Sequence, residues 1–132
     1  MDMALAKLYA AWRDRPFQWG SADCTVFARD AAWRLHGLVV DVPAYINERQ
    51  ALRLLADHFC GWAAALQRAG FVRVDRAPVR GDLVIYESAA PGLFANGVAV
   101  CFGDRAFCPS ATGLAAVPAE QWCQTWAPKE GA

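Results

Sequence analysis

A chain of 132 residues can bury one real core and is too short for two ordinary domains. Its 56% hydrophobic and 20% charged content excludes a disordered chain. Thirteen basic residues balance thirteen acidic ones, so no electrostatic case for nucleic acid arises, and no apolar run is long enough to insert into a bilayer.

Met3 to Arg13 reads as a short amphipathic helix with Leu5, Leu8 and Trp12 on one side. Pro16 ends it. An aromatic-rich turn, Phe17-Gln18-Trp19-Gly20, then leads through Ser21 and Ala22 to Asp23 and Cys24. A second helix follows at once, with Phe27, Ala31 and Leu35 at helical spacing, Ser21 or Asp23 as its cap and Gly37 as its stop. Leu38 to Tyr45 contains Pro43 and reads as a loop. Asn47 caps a third predicted helix over Glu48 to Phe59, and Trp62 to Arg68 forms another.

From Phe71 the period changes. Phe71 to Val74 alternates as a short strand, Pro78 to Asp82 turns, and Leu83 to Tyr86 is a continuous apolar run typical of a buried strand. Ser88 to Ala95 is a loop. Gly97 to Phe102 is a second central strand, closed by Gly103-Asp104. Arg105 to Cys108 and Gly113 to Val117 are shorter strands, a turn surrounds Glu120 to Trp122, and Cys123 to Trp126 returns as a last strand. Lys129 to Ala132 should fray. The fold class is α+β: one domain over residues 1–132, helical over 1–70, with an antiparallel meander over 71–127.

The five cysteines, Cys24, Cys60, Cys101, Cys108 and Cys123, are odd in number and hold no CxxC pair. A zinc site or disulfide framework is poorly supported, and no metal or cofactor signature occurs. Reduced thiols suit a protein folded in bacterial cytoplasm. The N-terminal residues lack the pattern of a secretory signal.

Cys24 opens the second helix. Unpaired N–H groups and the macrodipole favour negative charge there, and so favour the thiolate. The plainer alternative is a buried cysteine acting as a small hydrophobe. The arrangement Trp19-Gly20, a short polar gap, Asp23-Cys24, a small polar residue, then an apolar helix ending at Gly37 resembles the nucleophile segment of the NlpC-type cysteine peptidases. These are papain-like hydrolases that cleave cell-wall peptides. More closely, the chain resembles an uncharacterised family of NlpC-like proteins encoded near the tail genes of phages and prophages. Matching features run from Phe17 to about Trp126, including the helical middle section and the Gly81-Asp82-led strand.

That resemblance implies a papain-like NlpC-type domain, with helices packed on a small antiparallel sheet and Cys24 as nucleophile or its remnant. It also implies a groove around Trp19, Gly20, Ser21 and Asn96. A cysteine hydrolase needs a base to take the thiol proton and later protonate the leaving amine. In the family this is a histidine opening the strand after the Gly-Asp strand. Matching Gly103 to the family's glycine puts Gly97 at the base position, with the orienting position at or near Pro109. A slip of one residue would put Asn96 there, and an amide is no base near neutral pH. His36 lies twelve residues beyond Cys24 on the same helix, about 18 Å along its axis. His58 lies in the helical middle section.

The expectation is a catalytically inactive structural or assembly protein of a phage tail or tail tip. Its partners would be other tail proteins and peptidoglycan, without nucleic acid or membrane insertion. It would be made in the host cytoplasm and carried in the virion. Two alternatives stand open. One is an active peptidoglycan endopeptidase or amidase using Cys24 and an unforeseen base such as His58. The other is a host-directed binding or inhibitor protein.

Overall fold

The computed structural model describes residues 1–41, 45–50, 62–87 and 96–131. Among the described residues, α-helices come before a six-stranded antiparallel sheet. Helix α1, Asp2–Trp12, buries Leu5, Leu8 and Trp12, the side its periodicity predicts. Helix α2, Cys24–His36, is capped by Asp23, whose carboxylate accepts from Val26 N–H. It ends at Gly37 in the left-handed region, φ 67°, where a glycine meets no Cβ penalty. Asn47 Oδ1 accepts from Gln50 N–H at 2.9 Å, the bond expected of an N-cap. The rest of that predicted helix, with His58 and Cys60, lies outside the described residues, as does the predicted loop at 88–95. Helix α3 is Trp62–Ala69.

The strands are β1, Phe71–Val74; β2, Leu83–Glu87; β3, Asn96–Cys101; β4, Ala106–Ser110; β5, Gly113–Val117; and β6, Trp122–Pro128. Their order is β1-β6-β2-β3-β4-β5. Strands β2 to β5 form the expected meander, but β6 is a correction to it: it returns to lie between β1 and β2. The apolar length of β6 explains this. Thr125, Trp126 and Ala127 are all buried, and a central position covers both sides of such a strand. The expected fraying at Lys129 is also corrected, because Lys129 N–H donates to Gly70 O and extends the β1–β6 ladder.

Residue parity divides the core. Leu83, Val98, Val100 and Trp126 join α1, α2 and α3 in one cluster. Val84, Tyr86, Ala99, Cys101, Ala106, Cys108 and Val117 form a second, with Trp122 against it. Trp122 Nε1 donates to Val117 O at 2.9 Å and so ties β6 to β5, which lie far apart in the strand order. The sheet therefore curls, and its second face is buried largely by its own strands. On the first face, α1 locks onto α2: Trp12 meets Phe27 edge to face at 5.0 Å and donates from Nε1 to Asp30.

Candidate functional site

The ladder between β3 and β4 is short. Val100 pairs with Phe107 and Cys101 with Ala106, and the pairing stops there. Pro109 supplies a reason. Across β4–β5 it faces Leu114, whose N–H turns outward onto Arg13 O. The donor that proline lacks therefore falls on the β3 side, where a ladder bond would be needed. The two strands part, and the first turn of α2 reaches the sheet at this opening. Val98, two residues before the first β4-paired position of β3, brings its backbone N–H up to the Cys24 thiol, where it favours the ionised form.

Cys24 is only 8% exposed. Burial pushes its thiol up to about 12, opposed by the Val98 N–H and reinforced by the neighbouring Asp23 carboxylate and Cys108. This reverses the expectation that a helix start would favour the thiolate. A macrodipole offers about 0.3–1 kcal/mol, whereas loss of hydration around a buried anion costs several-fold more. Cys24 is a neutral thiol at pH 7.

Two other groups face it. Tyr86 donates from its hydroxyl to Cys108 Sγ at 3.5 Å. Burial raises the Tyr86 phenol well above its ordinary value, with Cys108 and Cys24 adding to the rise. The Cys108 thiol is also raised by burial, against the pull of the Tyr86 hydrogen bond. Gly97 lies directly opposite Tyr86 across β2–β3. A Cβ built on Gly97 would lie 2.9 Å from the Tyr86 hydroxyl oxygen and 3.1–3.2 Å from two of its ring carbons. No real Cβ tolerates such contact, so the tyrosine holds the space that a side chain at 97 would require.

Asp23 is fully buried and satisfied on both oxygens. Oδ1 accepts from Val26 N–H at 2.9 Å; Oδ2 accepts from Gly20 N–H at 2.9 Å and from the Tyr45 hydroxyl at 2.5 Å. Burial raises the Tyr45 phenol, and its bond to Asp23 raises it further. Asp23 is thus a structural hub as well as the cap. Gly20 has φ +83°, and a Cβ there would lie 2.2 Å from Tyr45 O. The Tyr45 backbone therefore roofs the turn at Gly20, part of the expected groove. Ser21 is exposed and offers its carbonyl to Arg15. Trp19 stands edge to face with Phe17 at 4.9 Å and packs against the first core cluster. Asn96 begins β3, opposite Glu87, two residues before Val98.

His36 sits at the far end of α2 from Cys24, as the helical rise requires. It is hydrogen-bonded to Gly81 O at 2.7 Å and stacked edgewise on Phe71. Asp82, read from sequence as a turn residue, is buried with Arg76 at 2.6 Å and accepts Val79 N–H. Glu87 and Asp104 are exposed. Among the described residues, no group of His, Cys, Asp and Glu side chains could hold a metal ion. Sequence reasoning missed Tyr45, Tyr86 and Cys108. Only Tyr86 left a signal, as the polar-tipped residue in an otherwise apolar run, directly across the hairpin from Gly97.

These features define an α+β protein in which a helix N-terminus bearing a cysteine wedges into a split, curled antiparallel sheet. The chain belongs to the family described as Domain of unknown function (DUF6950), which matches residues 1–127. Among curated proteins none matches the chain.

Proposed function

We propose that the protein is a catalytically silent NlpC-like domain, serving as a structural or assembly component of a phage or prophage tail or tail tip. One observation carries the silent part: the Tyr86 phenol fills the space over Gly97 while Cys24 is buried as a neutral thiol. Acyl transfer by a thiol needs a thiolate and a proton donor for the leaving amine. Cys24, Cys108 and Tyr86 all hold their protons far above neutral pH, and none accepts another there. General acid–base assistance is worth a factor of about 10²–10⁴, and these three groups supply none of it. The tail setting rests on the sequence resemblance.

Two experiments test the two halves. The purified protein, with Cys24→Ser and His58→Ala beside it, is incubated with defined muropeptides, and free amine is measured. The expected result is no release by any of the three; Cys24-dependent release would establish a hydrolase. Deletion of the gene from its phage or prophage should leave defective tails under the electron microscope. Cys24→Ser should restore them. Normal particles without the gene would remove the tail assignment.

A further inference from the structure

The outward ridge of α2 carries Val26, Arg29, Asp30 and Trp33, spaced three and four residues apart on one face. Beside it run Leu38 to Asp41, and below it lie Trp12 and Arg15. Together they line an open cleft of about 670 Å³. Its floor is apolar, and its rim presents two large hydrophobic side chains to water, Trp33 at 61% and Val39 at 66% exposure. Isolated exposed hydrophobics need no explanation, but two on one cleft rim make a contact surface.

The charges are uneven in what they are free to do. Asp30 is spent within the fold: Oδ2 accepts from Trp12 Nε1 and Oδ1 from Arg34 Nε at 2.7 Å. Arg15 and Arg29 have no carboxylate partner among the described residues. The Arg15 guanidinium is nonetheless held in place, 4.4 Å over the Trp12 ring and donating to Ser21 O. A cation already fixed by stacking loses little further freedom when an anion arrives. Asp41, exposed at the rim, opposes only part of this positive charge.

We infer that this cleft docks an acidic peptide segment of a partner protein, with an aromatic or branched apolar side chain against Trp33 and Val39 and an adjacent carboxylate on Arg15 or Arg29. The chemistry is that of interface hot spots, where tryptophan and arginine predominate. An open cleft with an apolar floor and two arginines without a carboxylate partner among the described residues suits a chain segment better than an enclosed small molecule. The site lies along α2 rather than at its cysteine-bearing end. It adds a partner surface to the assembly reading, and peptide binding is measured without particle or substrate, so its failure would leave that reading standing.

The test is panning of the full chain against a display library of random linear dodecapeptides, with the recovered sequences resynthesised for titration. Recovered peptides should carry Asp or Glu beside Trp, Phe, Leu or Ile. Trp33→Ala and Arg29→Glu, both exposed positions checked for unchanged thermal melting, should each weaken binding about tenfold or more. Raising salt from 50 to 500 mM, which shortens the Debye length about threefold, should weaken the parent chain more than Arg29→Glu. Absence of enrichment, peptides without acidic bias, or binding by either variant as tight as by the parent chain would overturn the proposal. So would a concentration-dependent dimer dispersed by Trp33→Ala, which would assign the cleft to a second copy of the chain.

Discussion

The two working surfaces of α2 make opposite use of the same helix. At its N-terminal end Asp23, Cys24, Tyr45, Tyr86 and Cys108 are closed from water, and Asp23 and Tyr86 hold partners within the fold. Along its outer ridge Trp33 and Arg29 stand in solvent beside an open cleft. The first region contains the residue types that suggest catalysis, yet burial takes away the ionisation that catalysis needs. The second is lined by no cysteine or tyrosine, yet offers area and free charge. Residue identity proposes chemistry; exposure decides whether that chemistry can operate.

The strongest way to break the comparison is at Asp23. Asp23→Ala removes a helix cap and leaves Gly20 N–H and the Tyr45 hydroxyl without their acceptor. A cap is worth about 1 kcal/mol and each orphaned buried donor about 1–3 kcal/mol. Urea unfolding should show a loss of about 3–7 kcal/mol, with Asp23→Asn losing less. A change below about 1 kcal/mol would mean that the closed end is not organised by this carboxylate.

Next is Gly97→Ala. The Gly97 backbone requires no glycine conformation; only the Tyr86 side chain excludes a Cβ. Overpacking should cost about 1–3 kcal/mol. Tyr86→Phe removes the nearest atom, so the double variant should be more stable than the two single losses predict. Additive losses in a double-mutant cycle would show that the two positions do not share space.

A smaller effect concerns pH. Cys24 is half ionised near pH 9.0 in an unfolded chain, and burial pushes that point up to about 12 in the fold. Its contribution is complete below the unfolded value and is lost as pH rises toward the folded one. Stability should therefore fall above about pH 9, by up to about 1.4 kcal/mol per pH unit for this group. Cys108 and Tyr86 act in the same direction. Denaturant midpoints from pH 8 to 10.5 check this, and Cys24→Ser should flatten the slope.

The smallest expected effects are at the surface. Trp33→Ala should alter stability by less than about 0.5 kcal/mol. In brief native alkylation, peptide mapping should find exposed Cys123 labelled long before Cys24, Cys101 and Cys108. Early labelling of Cys24 would open the end of α2 that is described as sealed.

Local pattern made much of this architecture legible. The 3.6-residue period placed α1 and α2, Asp23 and Gly37 marked the ends of α2, and the change of period at Phe71 marked where the sheet begins. Those signals are local because caps and amphipathic faces depend on residues within a few positions of one another. Reading β2 to β5 as a hairpin series succeeded for the same reason.

The sequence by itself determined the α+β class, the helix that carries Cys24 and the absence of a residue at 97 able to accept a proton. Only the tertiary structure decided that β6 inserts between β1 and β2, that the sheet opens beside Pro109, and that Tyr86 occupies the space over Gly97. It also decided the protonation of Cys24. The pKa of a thiol depends on how much water reaches it and on groups as distant in sequence as Val98 and Cys108. A helix terminus contributes a small, local bias to that balance; burial contributes the larger, non-local one, and it sets the outcome.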